Sequence, residues 1–234
     1  MRVIFFLQSV NNIFDILNNT NKTLNKNKEV FRIGISDSIN VNFLFNLIRF
    51  YQEHEPQLDV KVNHISFADQ LEGIVSGYYD VGFCLNNHIE RKGVITRMIW
   101  EESLVVLLPS NHDLLTYKEL DLQDVLRYPI IGFDINSHCG YYKQIKAICN
   151  QIRQQPLFLD FVESNDLMLT LVAANYGIGL MSESRYQSLK SGDIVVGKKL
   201  SKSHKALIKT YMLTLENKNN KTYNVAIEMA NSFL

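Results

Sequence analysis

The stretch VFRIGISDSINVNFLFNLIRFYQEHEPQLDVKVNHISFADQLEGIVSGYYDVGFCL, residues 30–85, decides the fold. Its apolar pattern predicts three strands that alternate with two helices: Val30–Ile35, Asn40–His54, Asp59–Ile65, Ala68–Ser76 and Asp80–Leu85. Pro56 ends the first helix, because proline cannot continue one. Strands joined by helices pair in parallel, so this order predicts a sheet covered by helices.

The rest of the chain repeats this alternation. Two strands, Val94–Ile99 and Leu104–Leu108, are expected on either side of Trp100 to Ser103. Beyond Pro109 the pattern predicts a further series of elements: Ile130–Phe133, Tyr141–Ile152, Leu157–Val162, Asp166–Asn175, Ile178–Met181, Ile208–Leu215 and Tyr223–Phe233. Lys198–Lys205 is basic and polar and is expected to be a loop. We therefore expect an α/β protein with two lobes, residues 29–108 and 109–206, and a return of residues 207–234 to the first lobe.

The N-terminal 28 residues are expected to form one long helix. Their apolar residues follow the spacing of a single helix face: Val3, Phe6, Leu7, Val10, Ile13, Phe14 and Leu17. Such a helix ahead of a domain more often packs on a partner chain than on its own. The apolar run stops at Gln8 and no small-residue cleavage site follows, so a signal peptide is not expected.

Composition excludes several classes of protein. The 234 residues carry 24 basic and 24 acidic side chains, and this neutral balance gives no support to nucleic acid as the main partner. The three cysteines, an odd number without close pairing, favour reduced thiols in the cytoplasm. No apolar stretch is long enough to span a membrane. Gly177 and Gly179 follow a helix and precede a strand, the reverse of a dinucleotide-binding turn.

Five segments resemble the effector-binding domain of LysR-type transcriptional regulators. They are FRIGISDS at residues 31–38, FYQEHEP at 50–56, the stretch 71–83 with YDVGF at its end, WEESLVVLLP with NHDL over 100–114, and LVAANYGIGLM at 171–181. Two residues depart from the family pattern, since Asp113 and Met181 stand where proline is common. Each segment is a weak signal alone, but together they occur in the family's order.

This resemblance implies a two-lobed, type-2 periplasmic-binding-protein-like fold, in which each lobe is a mostly parallel sheet flanked by helices. It implies a small-molecule effector between the lobes and a homodimer or tetramer. Residues 1–28 would be the linker helix to a DNA-binding head, and promoter DNA would be contacted only through a helix-turn-helix that the 234 residues lack. No cofactor, metal, membrane contact or enzymatic activity is expected.

The predicted effector site lies beyond the carboxyl ends of the strands, where helix N-termini present free N–H groups and favour anions. The candidate ligand-binding residues follow strands or precede helices: Ser36, Ser38, Ser66, Asn86, Asn136 and Ser137. For each, a structural role is the alternative. Ser38 or Asn40 could cap the first helix, Ser66 the second, and the others could be turn or surface-loop residues. Glu163 to Asp166 is expected mainly as a helix cap, with a role in the pocket as the alternative.

Two other functions compete with the regulator. A free-standing solute-binding protein of the same fold would need an export signal. An enzyme on a related two-lobed fold would need cofactor-bearing cysteines or clustered arginines for phosphate, and the arginines are scattered. The lysines between Lys198 and Lys209 could touch DNA, but a solvated loop between the lobes is the preferred interpretation.

Overall fold

The computed structural model describes residues 29–37, 39–86, 89–189, 194–201, 206–216, 224–225 and 227–229. The predicted helix of residues 1–28 therefore lies outside the described residues, as do Ser38 and much of the predicted helix Tyr223–Phe233. Residues 224–225 and 227–229 are helical, and Val225 and Ile227 pack on the core of the N-terminal half.

The N-terminal half has the predicted alternation. Its elements are β1 (Glu29–Ile35), α1 (Val41–His54), β2 (Leu58–His64), α2 (Phe67–Val75) and β3 (Val81–Cys84). Strand β1 pairs in parallel with both β2 and β3. The side-chain oxygen of Asn40 accepts hydrogen bonds from the backbone N–H groups of Asn42 and Phe43, so Asn40 is the cap of α1.

The C-terminal half has the second predicted series and, besides the strand Val195–Lys199, three short elements that the sequence analysis missed. Its elements are a 3₁₀ turn (Asp113–Thr116), α3 (Leu122–Val125), β5 (Ile130–Phe133), α4 (Cys139–Gln151), β6 (Phe158–Val162), α5 (Asn165–Ala173), β7 (Ile178–Ser182) and α6 (Glu183–Ser188). Strand β5 pairs in parallel with β6 and β7. The 3₁₀ turn, α3 and α6 are too short to show a recognisable apolar period.

One long strand joins the two halves. The prediction of two strands around Trp100 to Ser103 was wrong, because Val94–Pro109 is a single strand, β4. Residues from Val94 to Ser103 pair antiparallel with β9 (Leu207–Leu215), and residues from Leu104 to Pro109 pair with other strands. The polar side chains of Glu101 and Glu102 led to the prediction of a turn. The backbone hydrogen bonds between β4 and β9 nevertheless continue past both residues, with one shift of register near Met98.

The prediction of a loop at Lys198–Lys205 was also wrong for its first two residues. Lys198 and Lys199 belong to β8 (Val195–Lys199), which pairs antiparallel with β4. The ammonium group of Lys198 donates hydrogen bonds to the carbonyl oxygens of Leu114 and Leu115 at 3.1 Å, and to that of Tyr117. This lysine therefore secures the 3₁₀ turn, and residues 202–205 lie outside the described residues.

The sheet has two parts that share β4. The strand order is β2-β1-β3-β9-β4-β7-β5-β6, with β8 also on β4. We call the strands from β2 to Ser103 of β4 the first half-sheet, and those from Leu104 of β4 to β6 the second half-sheet. Because β4 and β9 run antiparallel to their neighbours, the whole sheet is mixed.

Each half-sheet has its own core. In the first, the ring of Phe43 from α1 lies 4.6 Å from that of Trp100 and 5.3 Å from that of Phe83. The core of the second is built on β4, where Leu107 is fully buried and packs against Gly179. Among the described residues, no helix has the length and apolar character needed to cross a membrane.

The core on β4 gives a test of the fold. Leu107→Ala should lower the free energy of unfolding by about 2–5 kcal/mol, because it leaves a cavity in a fully buried site. Leu159→Ala, in the edge strand β6 at 46% exposure, should change it by about 0.5 kcal/mol or less. Denaturant unfolding of both variants measures this difference. Equal effects of the two substitutions would contradict the assignment of β4 to the core.

Candidate functional site

An open cleft of about 420 Å³ lies between the two half-sheets. Its volume falls within the range of small-molecule sites. Its walls come from the carboxyl ends of β1 and β2, the first turns of α1 and α5, and helix α6: Ile35, Asp37, Ile39, Val41, Leu44, His64, His138, Glu163, Ser164, Asn165, Asp166, Arg185 and Leu189. A smaller, mainly apolar cavity of about 20 Å³ shares His138, Asn165 and Arg185 with it.

Asp37 is the most deeply buried charged residue of the cleft wall, at 1% exposure. Its Oδ2 accepts a hydrogen bond from the backbone N–H of Leu85 at 3.1 Å, and its carboxylate also accepts one from the backbone N–H of Tyr141. Its Oδ1 has no hydrogen-bond partner among the described residues. Burial raises the pKa of Asp37, against the effect of these hydrogen bonds.

The N-terminus of α4 lies against the end of β3 at this point. A Cβ atom on Gly140 would come within 2.8 Å of the Leu85 backbone and 2.9 Å of Asp37 Oδ2, so only glycine permits this approach. One turn further along α4, the Gln144 amide donates to the carbonyl oxygens of Leu85 and Lys209, at 2.5 and 2.7 Å. Gln144 also accepts from the Lys209 N–H, so α4 is tied to strands of the first half-sheet.

Two histidines face each other across the cleft wall, with the rings of His64 and His138 6.4 Å apart. His138 is 5% exposed and stacks on Phe133 at 4.9 Å between ring centroids. Burial lowers the pKa of His138, and the nearby His64 lowers it further. Its Nδ1 has no hydrogen-bond partner among the described residues. The neutral imidazole can therefore accept or donate a hydrogen bond to a ligand.

Arg185 lies on the opposite wall, in α6. With its oxygen turned towards the guanidinium, the Asn165 amide accepts hydrogen bonds from Arg185 at 2.9 and 3.2 Å. Burial lowers the pKa of Arg185 while Asp166 raises it, and the guanidinium stays charged. Ser164 caps α5 by accepting from the Leu167 N–H, so the first turn of that helix also opens onto the cleft.

Of the two residues predicted in the turn after β1, Ser36 and Ser38, the structure describes Ser36. The Ser36 hydroxyl is 1% exposed and donates to Gln70 Oε1 at 3.0 Å. Gln70 in turn donates to the carbonyl oxygens of Gly34 and Phe83, so Ser36 belongs to a buried network behind the cleft wall. Ser38 lies outside the described residues, between two residues of the cleft wall, Asp37 and Ile39.

The other predicted residues are not brought together around the cleft. Ser66 caps α2 by accepting from the Asp69 N–H. Asn86 is 3% exposed and donates to the sulfur of Cys139, which joins the end of β3 to the start of α4. The backbone N–H groups of Asn136 and Ser137 both bind the Asp134 carboxylate. None of these four side chains is among the residues that line the cleft.

Three ionisable residues of the cleft wall were missed in the sequence analysis, namely Asp37, His64 and Arg185, and so were its apolar residues. Asp37 and His64 were within reach of the same argument, since each lies at or just beyond the carboxyl end of a predicted strand. Arg185 carried no signal, because α6 was not predicted. Of Glu163 to Asp166, Ser164 caps α5 as expected and all four line the cleft, while their role in binding a ligand stays a prediction.

No group of three or more metal-ligating side chains occurs among the described residues. All three cysteines are free, and Cys84 and Cys149 are buried. Burial raises the pKa of the Cys149 thiol to about 11, which makes it a poor nucleophile.

Comparison with known proteins identifies the family. The model of the LysR substrate binding domain matches residues 25–225. The chain therefore belongs to the LysR substrate-binding domain family, as the five sequence segments predicted.

Individual relatives agree with this family. The chain is 26% identical over 161 residues to a probable cat1 operon transcriptional activator of Acinetobacter lwoffii, covering 68% of this chain and 53% of that protein. The chain spans about half the length of the curated relatives that it matches.

Among solved structures, the chain is similar to the BenM effector binding domain with its effector benzoate, at 21% identity and a TM-score of 0.78 over 87% of this chain and 91% of that one. It is also similar to the effector binding domain of QuiR in complex with shikimate, at 19% identity and a TM-score of 0.71 over 88% of this chain and 97% of that one. These likenesses confirm the predicted fold.

The lowered pKa of His138 predicts a pH dependence of stability. Its imidazole titrates near 6.5 in the unfolded chain and lower in the folded one, so the unfolded chain takes up this proton first as the pH falls. The free energy of unfolding should therefore fall below pH 6.5, relative to that of His138→Phe. Denaturant unfolding of both proteins at two pH values, one on each side of this window, measures the difference. An NMR titration that puts the His138 pKa at or above 6.5 would contradict it.

Proposed function

We propose that this chain is the ligand-sensing domain of a LysR-type transcriptional regulator, and that its effector is a small metabolite bound in the cleft between the half-sheets. The observation that carries this proposal is the cleft itself. Its wall combines polar side chains that have free hydrogen-bonding capacity with apolar residues of both half-sheets. That combination is typical of a site for a small polar molecule.

The acidic group of the effector would bind at Arg185 and the first turn of α5. The guanidinium offers several N–H donors, and the helix N-terminus adds a partial positive charge. The solved relatives bind benzoate and shikimate. Both compounds are carboxylic acids, which agrees with an anionic group in the ligand of this chain.

Binding would act by changing the angle between the two halves. Strand β4 is the natural hinge, because its residues up to Ser103 pair with β9 in the first half-sheet and those from Leu104 pair with β7 and β8. The lobe boundaries at 108/109 and 206/207 stay a prediction, and the hydrogen-bond partners of β4 change nearby, between Ser103 and Leu104. An effector shifts this equilibrium by as much as its affinity differs between the two arrangements.

The six residues predicted from sequence, Ser36, Ser38, Ser66, Asn86, Asn136 and Ser137, stay predictions as ligand contacts. Ser38 is the strongest candidate of the six, because both of its neighbours in the chain line the cleft. For Ser36 and Asn86 we propose a supporting role, since each is buried beside Asp37 or α4.

Promoter DNA would be bound by another part of the regulator. The domain itself would act in the cytoplasm as a sensor and would not catalyse a reaction. A free-standing solute-binding protein is the alternative. The curated relatives are named as transcriptional regulators, which favours the sensor.

A homodimer is supported by two rows of exposed apolar side chains. On α1, Phe45 is 59% exposed and lines a surface groove with the half-buried Ile48. The edge strand β6 and its approach carry Leu157, Leu159 and Phe161 on one face, at 63%, 46% and 40% exposure. Unpaired edge strands with apolar side chains tend to associate with another chain. A second copy of this chain is the partner that we propose.

The sensor proposal predicts that a carboxylate binds and that Arg185 is needed. In a thermal-shift screen against a few hundred small metabolites, mostly carboxylates, at least one compound should stabilise the protein in a concentration-dependent way. By calorimetry, Arg185→Gln should weaken that compound about 10- to 100-fold, because a charge-assisted hydrogen bond is lost. Arg127→Gln, at an exposed site outside the cleft, is the matched control. Equal loss in both variants, or no stabilising compound, would count against the cleft as an effector site.

The dimer proposal predicts that charge on the apolar rows weakens association. Phe45→Glu and Leu159→Glu should each raise the dimer dissociation constant at least about tenfold, because a carboxylate would be buried in an apolar contact. Sedimentation velocity measures the dissociation constant. Tyr176→Glu, at a site of similar exposure between α5 and β7 that belongs to neither row, should leave it unchanged. A wild-type protein that stays monomeric at all concentrations would refute the proposal.

A further inference from the structure

The cleft holds a feature that a simple carboxylate ligand does not use. Asp37 lines the cleft, is almost fully buried, and has one carboxylate oxygen without a hydrogen-bond partner among the described residues. A buried polar atom without a partner costs free energy that a bound group can recover. A second carboxylate placed there would instead be repelled.

The other charged residues of the cleft wall also bear on the charge of the ligand. Besides Asp37, the lining residues include the carboxylates of Glu163 and Asp166, the guanidinium of Arg185 and the imidazole of His64, whose charge lowers the pKa of Asp37. Both Glu163 and Asp166 are exposed and screened by solvent, so the buried Asp37 dominates. A ligand with only negative charge would satisfy Arg185 but would add no positive charge beside the buried Asp37 carboxylate.

Asp37 is also held in place. Its Oδ2 is fixed by the Leu85 N–H, and its carboxylate is further held by the Tyr141 N–H at the start of α4. Gly140 permits the close approach that brings these donors together. The orientation of the free Oδ1 is therefore set before any ligand binds, which lowers the cost of binding.

We propose that the effector carries a protonated amine as well as an acidic group, and that Asp37 recognises the amine while Arg185 recognises the acid. The ligand class is thus an amino acid or a similarly sized amino-carboxylate. An ammonium group donates a charge-assisted hydrogen bond to Asp37 Oδ1 and neutralises its charge. This inference rests on the proposed function and goes beyond it by naming the chemistry of the ligand.

The test compares matched sets of three acids that differ in one group. Each set holds an amino acid, the acid with hydroxyl in place of the amine, and the acid with hydrogen there. The sets cover glycine and the eighteen standard L-amino acids that have a primary α-amine, and a further set is 4-aminomethylbenzoate, 4-hydroxymethylbenzoate and 4-methylbenzoate. In at least one set, calorimetry on the wild-type chain should show the amino compound binding about 10- to 100-fold more tightly than the other two.

Variants assign that preference to Asp37. Asp37→Asn should weaken the amino compound about 10- to 100-fold and leave the acid without the amine unchanged or slightly tighter. Asp134→Asn is the matched control, since Asp134 also accepts backbone N–H groups but does not line the cleft. Circular dichroism and the melting temperature check that both variants fold. If Asp37→Asn does not fold, the preference within each set on the wild-type chain still decides the question.

The possible failures can be told apart. If the hydroxy or unsubstituted acid binds the wild type as tightly as the amino compound, and Arg185→Gln abolishes binding, the sensor stands and this inference is overturned. An amine preference that survives unchanged in a folded Asp37→Asn also overturns it. If no amino compound of any set binds, the inference fails, and the wider metabolite screen judges the sensor separately.

Discussion

The structure depends on the continuity of β4. Its residues from Val94 to Ser103 complete the first half-sheet, and those from Leu104 to Pro109 begin the second. Because the hydrogen-bond partners of β4 change between Ser103 and Leu104, this one strand links the halves while each half keeps its own neighbouring strands. The two cores can then pack independently on either side of this strand. A cleft between the halves follows from this arrangement.

The cleft is closed on its inner side by contacts that cross from one half to the other. Asp37 reaches the first turn of α4, Asn86 donates to the Cys139 sulfur, and Gln144 binds the backbone of Leu85 and Lys209. These hydrogen bonds are few and lie beside the proposed ligand site. A ligand that changes the partners of Asp37 therefore acts where the relative position of the halves is set. The ligand can change the relative position of the halves only by as much as its affinity differs between the two arrangements.

Most of the helices and strands could be predicted from the sequence, and the exceptions have physical causes. Helix α1 shows its period directly, because it buries one face, and the strand Ile130–Phe133 is visible as a continuous apolar run, because it is buried throughout. The polar stretch Trp100 to Ser103 was misjudged, since its backbone hydrogen bonds with β9 outweigh the turn-like side chains. Lys198 was misjudged because its ammonium group finds three carbonyl oxygens that only the folded chain brings near. The family segments allowed the fold and the family to be identified, since those segments are local.

The sequence by itself determined the alternation of strands and helices, and with it the edge of the sheet at which a ligand site should lie, because these follow from local apolar periods and chain order. The tertiary structure decided which side chains form that site. Ser36 turned inward to Gln70, whereas Asp37 and Arg185, 148 positions apart, came to line one cleft. Which of two neighbouring side chains faces a cleft depends on packing between distant segments, such as Gly140 against Leu85, and that packing leaves no period in the sequence.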